Sequence, residues 1–557
     1  MLSAQLSSVP GPHELLGQPA MTFLAVASPG SLIQSVDWVA VAPPLIAALA
    51  ALAVLLADLF LPAARKKALG WLTAGGLALA LIALLPLARG NTRSTFCLQN
   101  VTGATDNAPC SYVADHFALV FQLLALGGAL ITALISMHTV EEQKLPGGEY
   151  WFLLLSSAAG AALLPASRDL ATLIIALEVV SLPAFALVAL RRDGRGAEGA
   201  LKFFLSSVTA TAVMLLGVSF VYAATGSLHL TAIGDALSQV PAQLKPLAEA
   251  GAALTLVGFA FKVAAVPFHF WLPDTYTGAP VPVAAYLSVV SKAAGLAGLA
   301  LVTTIAFHAY GHTWGLALAV LAALTMTVGN VGALRQRADT RHSAVRLLAW
   351  SSIGQAGYLL VPLAAAGTTE AAHPIGAAVA YALIYGVVNL GAFAVVAAVG
   401  SASGDRLDDY RGLFARRRWT ALALAFFLLC LAGLPPGVIG LFGKVVVFRA
   451  AIDAGLGWLA VIMAANVVIA LYYYLLWTAK IFAPAEPRAH RRRGDGRLGG
   501  PAAGPPGGRR HPVLRALPGG VGTKTARPSV DLSRRMRTEG FPPHYLEGLP
   551  CTASTTG

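Results

Sequence analysis

The sequence predicts an all-α, polytopic membrane protein, and three observations carry that expectation. The 557 residues are 57% hydrophobic and only 12% charged, with a mean hydropathy of +0.69, whereas soluble chains are about 25% charged. The apolar residues fall in runs of the length a helix needs to cross hydrocarbon, about 20 residues. The basic residues sit in short clusters between those runs and in the C-terminal tail. The net charge of +13 therefore reads as membrane orientation rather than as a nucleic-acid footprint.

Thirteen spans are expected, at 37–62, 70–88, 115–136, 150–166, 169–190, 202–224, 249–272, 280–306, 314–334, 343–366, 373–399, 420–449 and 457–483. The spans at 150–166 and 169–190 are separated only by Ser167, Arg168 and Asp169. Gly and Ala recur inside the runs, which suits helices packing closely in lipid. A β-barrel would need strands of about ten residues with alternating polarity, and the runs do not alternate.

Lys and Arg set the orientation. Loops after odd-numbered spans hold Arg65, Lys66, Lys67, Lys144, Arg191, Arg192, Arg195, Arg335, Arg337, Arg341, Arg406, Arg411, Arg416, Arg417 and Arg418. Loops after even-numbered spans hold only Arg89, Arg93, Arg168, Lys245 and Arg449. Positive charge stays inside, so the first set is cytoplasmic and the N-terminus is expected outside. The first 32 residues lack the basic start and apolar core of a signal peptide, and Met21 is a second candidate start. Cys97 and Cys110 share one outside loop, where a disulfide is an option. Cys430 lies in a span and reads as a small packing residue.

A charge near the bilayer centre costs about 2.5–3.5 kcal/mol on insertion scales, so each one needs a reason. Glu178, Lys262, Lys292 and Lys444 stand deep in apolar spans. Lys202 opens its span, where a stem that snorkels to the cytoplasmic face competes with a buried role. Pro267 follows Lys262 by five residues, and Pro435 and Pro436 precede Lys444. Non-helical backbone at that depth is tolerated only inside protein or around water. Two broken helices, each beside a buried lysine, suit internal repeats around an ion path. His269, seven residues after Lys262, is expected two turns along the same face and is suited to relaying protons. Pro183, five residues after Glu178, is expected to loosen its helix too.

A buried lysine can give up its proton, because lost hydration disfavours the charged form while a nearby carboxylate favours it. A row of such groups linked by water passes protons without a permanent channel. The sequence offers no CxxC pair, no glycine-rich nucleotide motif and no His pair on facing spans, so no redox centre is expected on this chain.

These residues carry a resemblance. FKVAAVPFHFWLPDTYTGAPVPVAAYLSVVSKAAG at 261–295 is the strongest part, with LEVVSLPAFALVAL at 177–190, LKFFLSSV at 201–208, RLLAWSSIGQAGYLL at 346–360, YGVVNLGAF at 385–393 and LPPGVIGLFGK at 434–444. Over about residues 35–483 the chain resembles the subunit N family of the proton-pumping NADH–quinone oxidoreductase, respiratory complex I, counterpart of mitochondrial subunit 2. Asp274, Tyr276 and Gly278-Ala279-Pro280 point to subunit N rather than to its antiporter-like sisters.

The resemblance implies two inverted five-helix antiporter-like repeats with broken helices, at 149–312 and 313–483, after three helices within 37–148 and an outside segment at 1–36. Glu178 would pair with Lys202 or Lys262, Lys292 would connect the repeats, and Lys444 would sit on the second broken helix near the outside exit. His269 would lie between Lys262 and Lys292, and Tyr358, Tyr385 and Asn389 would help hold water, with packing the equal alternative for Tyr358. The implied function is a membrane-arm subunit coupling electron transfer from NADH to quinone to proton translocation. The chain itself would bind no cofactor; NADH, flavin, iron–sulfur clusters and quinone would belong to other subunits. Its partners would be neighbouring antiporter-like and small membrane subunits and the lipid bilayer, in a bacterial plasma membrane, with no nucleic acid.

Two departures stand out. Gln355 occupies a place often held by His in the family, and the family usually has fourteen spans. Residues 484–557 turn abruptly to Arg, Gly and Pro. One reading is a disordered cytoplasmic segment whose Arg491, Arg492 and Arg493 attract anionic lipid. The favoured one is a frame shift near residue 484, because the expected last helix is missing where the composition changes. Two other functions compete: a subunit of a multisubunit cation/proton antiporter, against which GAPVP and Lys292 argue, and a purely structural membrane subunit.

Overall fold

The computed structural model describes residues 36–62, 65–97, 109–368 and 374–485. The expectations about Met1 or Met21 as start, and about the tail, fall outside those residues. Among the described residues the chain folds as a bundle of α-helices with one two-stranded antiparallel sheet. The first helix, α1 (Trp38–Phe60), is capped by Asp37, whose carboxylate accepts from the Val39 and Ala40 amides and pairs with Arg93 at 2.8 Å. Pro86 lacks the amide that would continue α2 (Lys67–Ile82), and the span resumes as the short α3 (Leu85–Arg89). Strands β1 (Arg93–Cys97) and β2 (Cys110–Ala114) then pair antiparallel with Cys97 opposite Cys110, and the two sulfurs are bonded.

Side-chain caps start the next helices. Asp115, Asp169 and Asp193 accept backbone amides ahead of α4 (His116–Glu142), α6 (Leu170–Ala189) and α7 (Gly194–Thr225). Between α4 and α6, α5 (Gly147–Leu163) carries Glu149 in its first turn. Arg168, in the tight α5–α6 link, is buried. It donates to Asp115 at 2.6 Å and to the Pro165 and Ser167 carbonyls, so it locks a turn. The α6 helix runs unbroken through Pro183, contrary to the expected loosening. Gly160 lets α5 come within van der Waals range of the Val179–Val180 backbone, and Ser157 Oγ donates to the Val180 carbonyl at 2.7 Å.

After α8 (Leu230–Leu237), the expected span 249–272 is not one helix. α9 (Lys245–Val263) stops where Ala264 adopts φ +62°, and α10 (Leu272–Gly278) begins eight residues later. The next span joins α11 (Val281–Tyr286) to α12 (Lys292–Leu301) through one π-helical turn, and a second follows at Val302–Ala306. Such bulges commonly mark functional positions. α13 (Gly311–Leu334), α14 (Ser343–Thr368) and α15 (Pro374–Ser403) follow, then the short α16 (Leu413–Arg416). The expected span 420–449 is also broken, into α17 (Arg418–Ala432) and α18 (Val438–Asp453), before α19 (Gly457–Phe482). Val266–Pro267 and Pro435–Pro436, one in each break, are cis.

Among the described residues, 11 helices are long and apolar enough to cross a membrane. The two further expected spans are α5, shortened by its polar start, and the α17–α18 pair, divided at Pro435–Pro436. The spans through α11–α12 and α14 are 89% and 94% buried, against 33% for α1. They form the axis of the bundle, and the unexpected charges gather around them.

Candidate functional site

Three lysines are almost wholly removed from solvent: Lys262 at 5% exposure, Lys292 at 2% and Lys444 at 4%. Among the described residues, no carboxylate pairs directly with any of them. Each ammonium is held by neutral oxygens, and each owes its place to a local irregularity in the backbone.

Lys262 occupies the last turn of α9, just before the helix breaks. Its Nζ donates to Ser181 Oγ of α6 at 2.5 Å and to Ser207 Oγ of α7 at 2.7 Å, with the Phe185 and Phe261 rings 5.9 Å away. Glu178, one turn before Ser181, accepts from Thr211 Oγ1 at 2.7 Å, and Thr211 is one turn beyond Ser207. Glu178 and Lys262 thus face the same α6–α7 seam with hydroxyls between them. The break is pinned by Thr325 Oγ1 of α13, which accepts the Val266 amide at 2.9 Å.

Lys202 goes elsewhere. Its side chain is 44% exposed and pairs with Glu198 at 2.6 Å and Asp274 at 2.7 Å, so its outward, snorkelling reading describes its place better than a pairing with Glu178. His269 is not two turns along the face of Lys262, because the helix ends at Val263. It lies in the irregular turn before α10, with its ring 5.7 Å from that of Trp350 in α14.

Lys292 opens α12 directly after the π-helical turn, which re-aims the side chain toward α14. Its Nζ donates to both the carbonyl (2.6 Å) and the hydroxyl (2.7 Å) of Ser352. The Ser352 hydroxyl meets the Tyr385 hydroxyl at 2.8 Å, and Tyr385 also donates to the Ser288 carbonyl at 3.2 Å. Asn389 donates to the Ser288 hydroxyl at 2.7 Å. One turn along α12, a Cβ on Gly295 would lie 2.9 Å from Lys262 Cβ, so this glycine brings the two lysine-bearing helices together.

Gly433 ends α17 in a left-handed turn at φ +83°, as helix C-termini commonly do. Gly440 lets α18 abut the Cys430 carbonyl, where any side chain would collide. Two carbonyls at the end of α17 are then claimed by Lys444, which donates to Leu431 (3.0 Å) and Ala432 (2.6 Å), with the Tyr358 ring 5.6 Å away. Gln355 donates to the Leu431 carbonyl at 3.4 Å and accepts from Tyr381 at 2.5 Å. Ser351 and Tyr474 share a further hydrogen bond beside it. A small cavity lined by Gln355, Tyr381, Tyr385 and Lys444 joins this cluster to the Ser352–Tyr385 pair beneath Lys292.

A polar seam therefore runs from Glu178 past Lys262, and a second from Lys292 to Lys444, with Gly295 at the contact between them. Sequence reading located the lysines but missed Ser181, Ser207, Thr211, Ser352, Tyr381 and Tyr474. Hydroxyls are common in membrane spans and only the fold selects these. Ser181 is three residues from Glu178, and Ser207 and Thr211 are four apart, which is the one trace they leave in the sequence. Gly295→Val is expected to push Lys262 out of register. Proton translocation by the assembled complex should fall severalfold while the subunit is still incorporated; wild-type translocation with the valine in place would show the contact to be dispensable.

The residues from 167 to 470 match the family described as "NADH:quinone oxidoreductase/Mrp antiporter, TM". NADH-quinone oxidoreductase subunit N 2 of Streptomyces griseus is 66% identical over 85% of this chain and 88% of that protein. Subunit N of Salinispora tropica is 46% identical over 82% of this chain and 87% of its own length. Among solved structures, a chain of respiratory complex I from Thermus thermophilus is 34% identical, with a TM-score of 0.64 over 80% of this chain and 91% of that one. The polytopic helical fold, the broken helices with their buried lysines and these relatives converge: the chain belongs to the NADH–quinone oxidoreductase subunit N family, the membrane-arm subunits of proton-translocating complex I.

Proposed function

We propose that the protons cross this membrane-arm subunit through Glu178, Lys262, Lys292 and Lys444, with His269 at the first broken helix and Lys202 holding the cytoplasmic end. The observation that carries the reading is the trio of buried lysines bonded only to neutral oxygens. A charge at this depth is costly. The hydroxyls at Lys262 and Lys292 can accept from a charged amine or donate to a neutral one, and the carbonyls at Lys292 and Lys444 accept an N–H from either form. A proton can therefore leave without stranding a buried counter-charge. Glu178 supplies the one carboxylate at the first seam, where its charge biases Lys262 through the intervening hydroxyls. NADH oxidation and quinone reduction belong to other subunits, and this chain contributes no redox group. The two breaks, one in each half of the chain, support two inverted repeats at 149–312 and 313–483.

The direct test is the Ser352→Ala, Tyr385→Phe double variant, reconstituted with the whole complex in sealed vesicles. Fewer protons per electron, with NADH oxidation retained, is the expected result. A wild-type ratio would remove the Lys292–Lys444 link from the path.

We infer that the N-terminus lies outside, with the loops bearing Arg191, Arg195, Arg335, Arg337 and Arg341 on the cytoplasmic side. Charge asymmetry supports this, and so does the disulfide on the opposite face, since such bonds persist in oxidising surroundings. An impermeant maleimide added to intact cells after impermeant reductant is expected to label Cys97 and Cys110. Labelling only after lysis would invert the topology.

A further inference from the structure

The basic face carries a feature beyond the proposed proton path. A cavity of about 520 Å³ opens there between the start of α7, α10 and the α13–α14 loop, lined by Arg195, Arg335, Arg337, Arg341 and Arg346 together with Asp274 and Glu198. The two acids are already matched: Lys202 pairs with both, and Arg346 approaches Asp274 at 3.6 Å. The guanidiniums of Arg195, Arg335, Arg337 and Arg341 have no anionic partner among the described residues. Their field is felt nearby. His342, outside the spans and 2.7 Å from Asp405, has its pKa lowered first by burial and then by Arg191, Arg195 and Arg341, against the pull of Asp405.

A second cavity, of about 460 Å³, lies beside membrane-spanning residues on the far side of one ion-pair cluster: Lys202, on its wall, pairs with Glu198 and Asp274, on the wall of the first. Below Lys202 its walls are mostly apolar, from Leu205 and Val213 of α7, Val257 and Phe261 of α9, and Phe268 and Phe270 of the first break, with Ser206 and Thr209 among them. Phe270 is 60% exposed and Leu205 55%, so the groove faces hydrocarbon. Four unmatched cations at the ends of spans, with an apolar groove one ion-pair cluster away, form a two-part amphipathic cleft. A free anion would satisfy only its upper part. Basic pockets between spans on the cytoplasmic side suit lipid phosphates, and bidentate contacts make arginine well matched to them.

We propose that this cleft binds one anionic phospholipid, its phosphate among Arg195, Arg335, Arg337 and Arg341 and an acyl chain along the groove over Phe261 and Phe268. The chain then packs against the turn that carries Pro267 and against the neighbour of Lys262, bracing the first broken helix. The shared chemistry is a phosphate, which inorganic phosphate also offers. The groove decides for the lipid.

The test exchanges purified whole complex into phosphatidylcholine vesicles with or without phosphatidylglycerol, re-extracts it, and counts retained lipid by mass spectrometry. Wild type is expected to retain severalfold more phosphatidylglycerol than R335Q/R337Q/R341Q, with phosphatidylcholine retention equal. Thr209→Trp, which fills the groove and touches no charge, should lose the same lipid, and R335K/R337K/R341K should keep it. Equal phosphatidylglycerol retention by the glutamine variant overturns the proposal. So does displacement of the lipid requirement by inorganic phosphate alone, which would mark a free-anion site. Loss of a neighbouring subunit from the glutamine variant on a native gel, with lipid retention unchanged in Thr209→Trp, would assign the arginines to a protein interface instead.

Discussion

Lys262→Ala, carried in the assembled complex, is expected to lower the protons moved per electron while NADH oxidation and assembly persist. The physical case rests on what the substitution leaves behind. Ser181 already donates to the Leu177 carbonyl at 2.6 Å within its own helix, so losing the ammonium does not orphan its hydroxyl. Ser207 loses the bond from Lys262, at about 1–3 kcal/mol for a buried polar group, but removing a buried charge lifts an insertion cost of about 2.5–3.5 kcal/mol, so folding is not the casualty. What disappears is the group proposed to exchange a proton between the Glu178–Thr211 seam and α12. Lys262→Arg is the sharper control, because a guanidinium stays charged at any working pH. It should pump no better than alanine despite keeping the positive charge. Measuring the ratio of protons to electrons in reconstituted vesicles decides it, and an unchanged ratio in Lys262→Ala would leave the lysine a packing element.

Lys444 holds the end of a helix and is also proposed to carry a proton, and two substitutions separate the two roles. Lys444→Ala leaves the Leu431 carbonyl only its bond from Gln355 and strips the side-chain donor from the Ala432 carbonyl at the end of α17. An unsatisfied buried acceptor costs about 1–3 kcal/mol, so lower thermal stability of the complex and a loss of pumping are both expected. Lys444→Gln can still donate an amide hydrogen to those carbonyls but carries no titrating proton. It should recover most of the stability and none of the pumping. Wild-type pumping by the glutamine variant would show that Lys444 only caps a helix end. Equal instability in both variants would show that the amine, rather than a donor as such, holds the break.

Much of this was legible before folding was considered. Lys262, Lys292 and Lys444 are conspicuous because charge inside apolar runs is expensive, and the prolines near two of them marked the broken helices. The presumed helical register of His269 failed because one residue, Ala264, takes a left-handed conformation and ends α9 before the register reaches it. Lys202 was ambiguous because a lysine near a span end reaches either way; the neighbouring Asp274, distant in sequence and close in space, settles its direction. Pro183 misled for a related reason. A proline in a helix sacrifices one hydrogen bond, and close packing against Gly160 and Ser157 keeps α6 continuous there.

Composition, run length and the placement of Lys and Arg determined by themselves that the chain is a bundle of membrane helices, because the cost of putting polar groups in hydrocarbon is paid residue by residue. Those costs need no knowledge of neighbours. Which neutral oxygens hold each lysine was decided only by tertiary structure. Ser181, Ser207, Ser352 and Tyr385 acquire their roles from helix rotation, from one π-helical turn before Lys292 and from the close approach that Gly295 permits. Hydrogen bonds depend on angstrom-scale placement between segments far apart in the chain, and local sequence does not encode that placement.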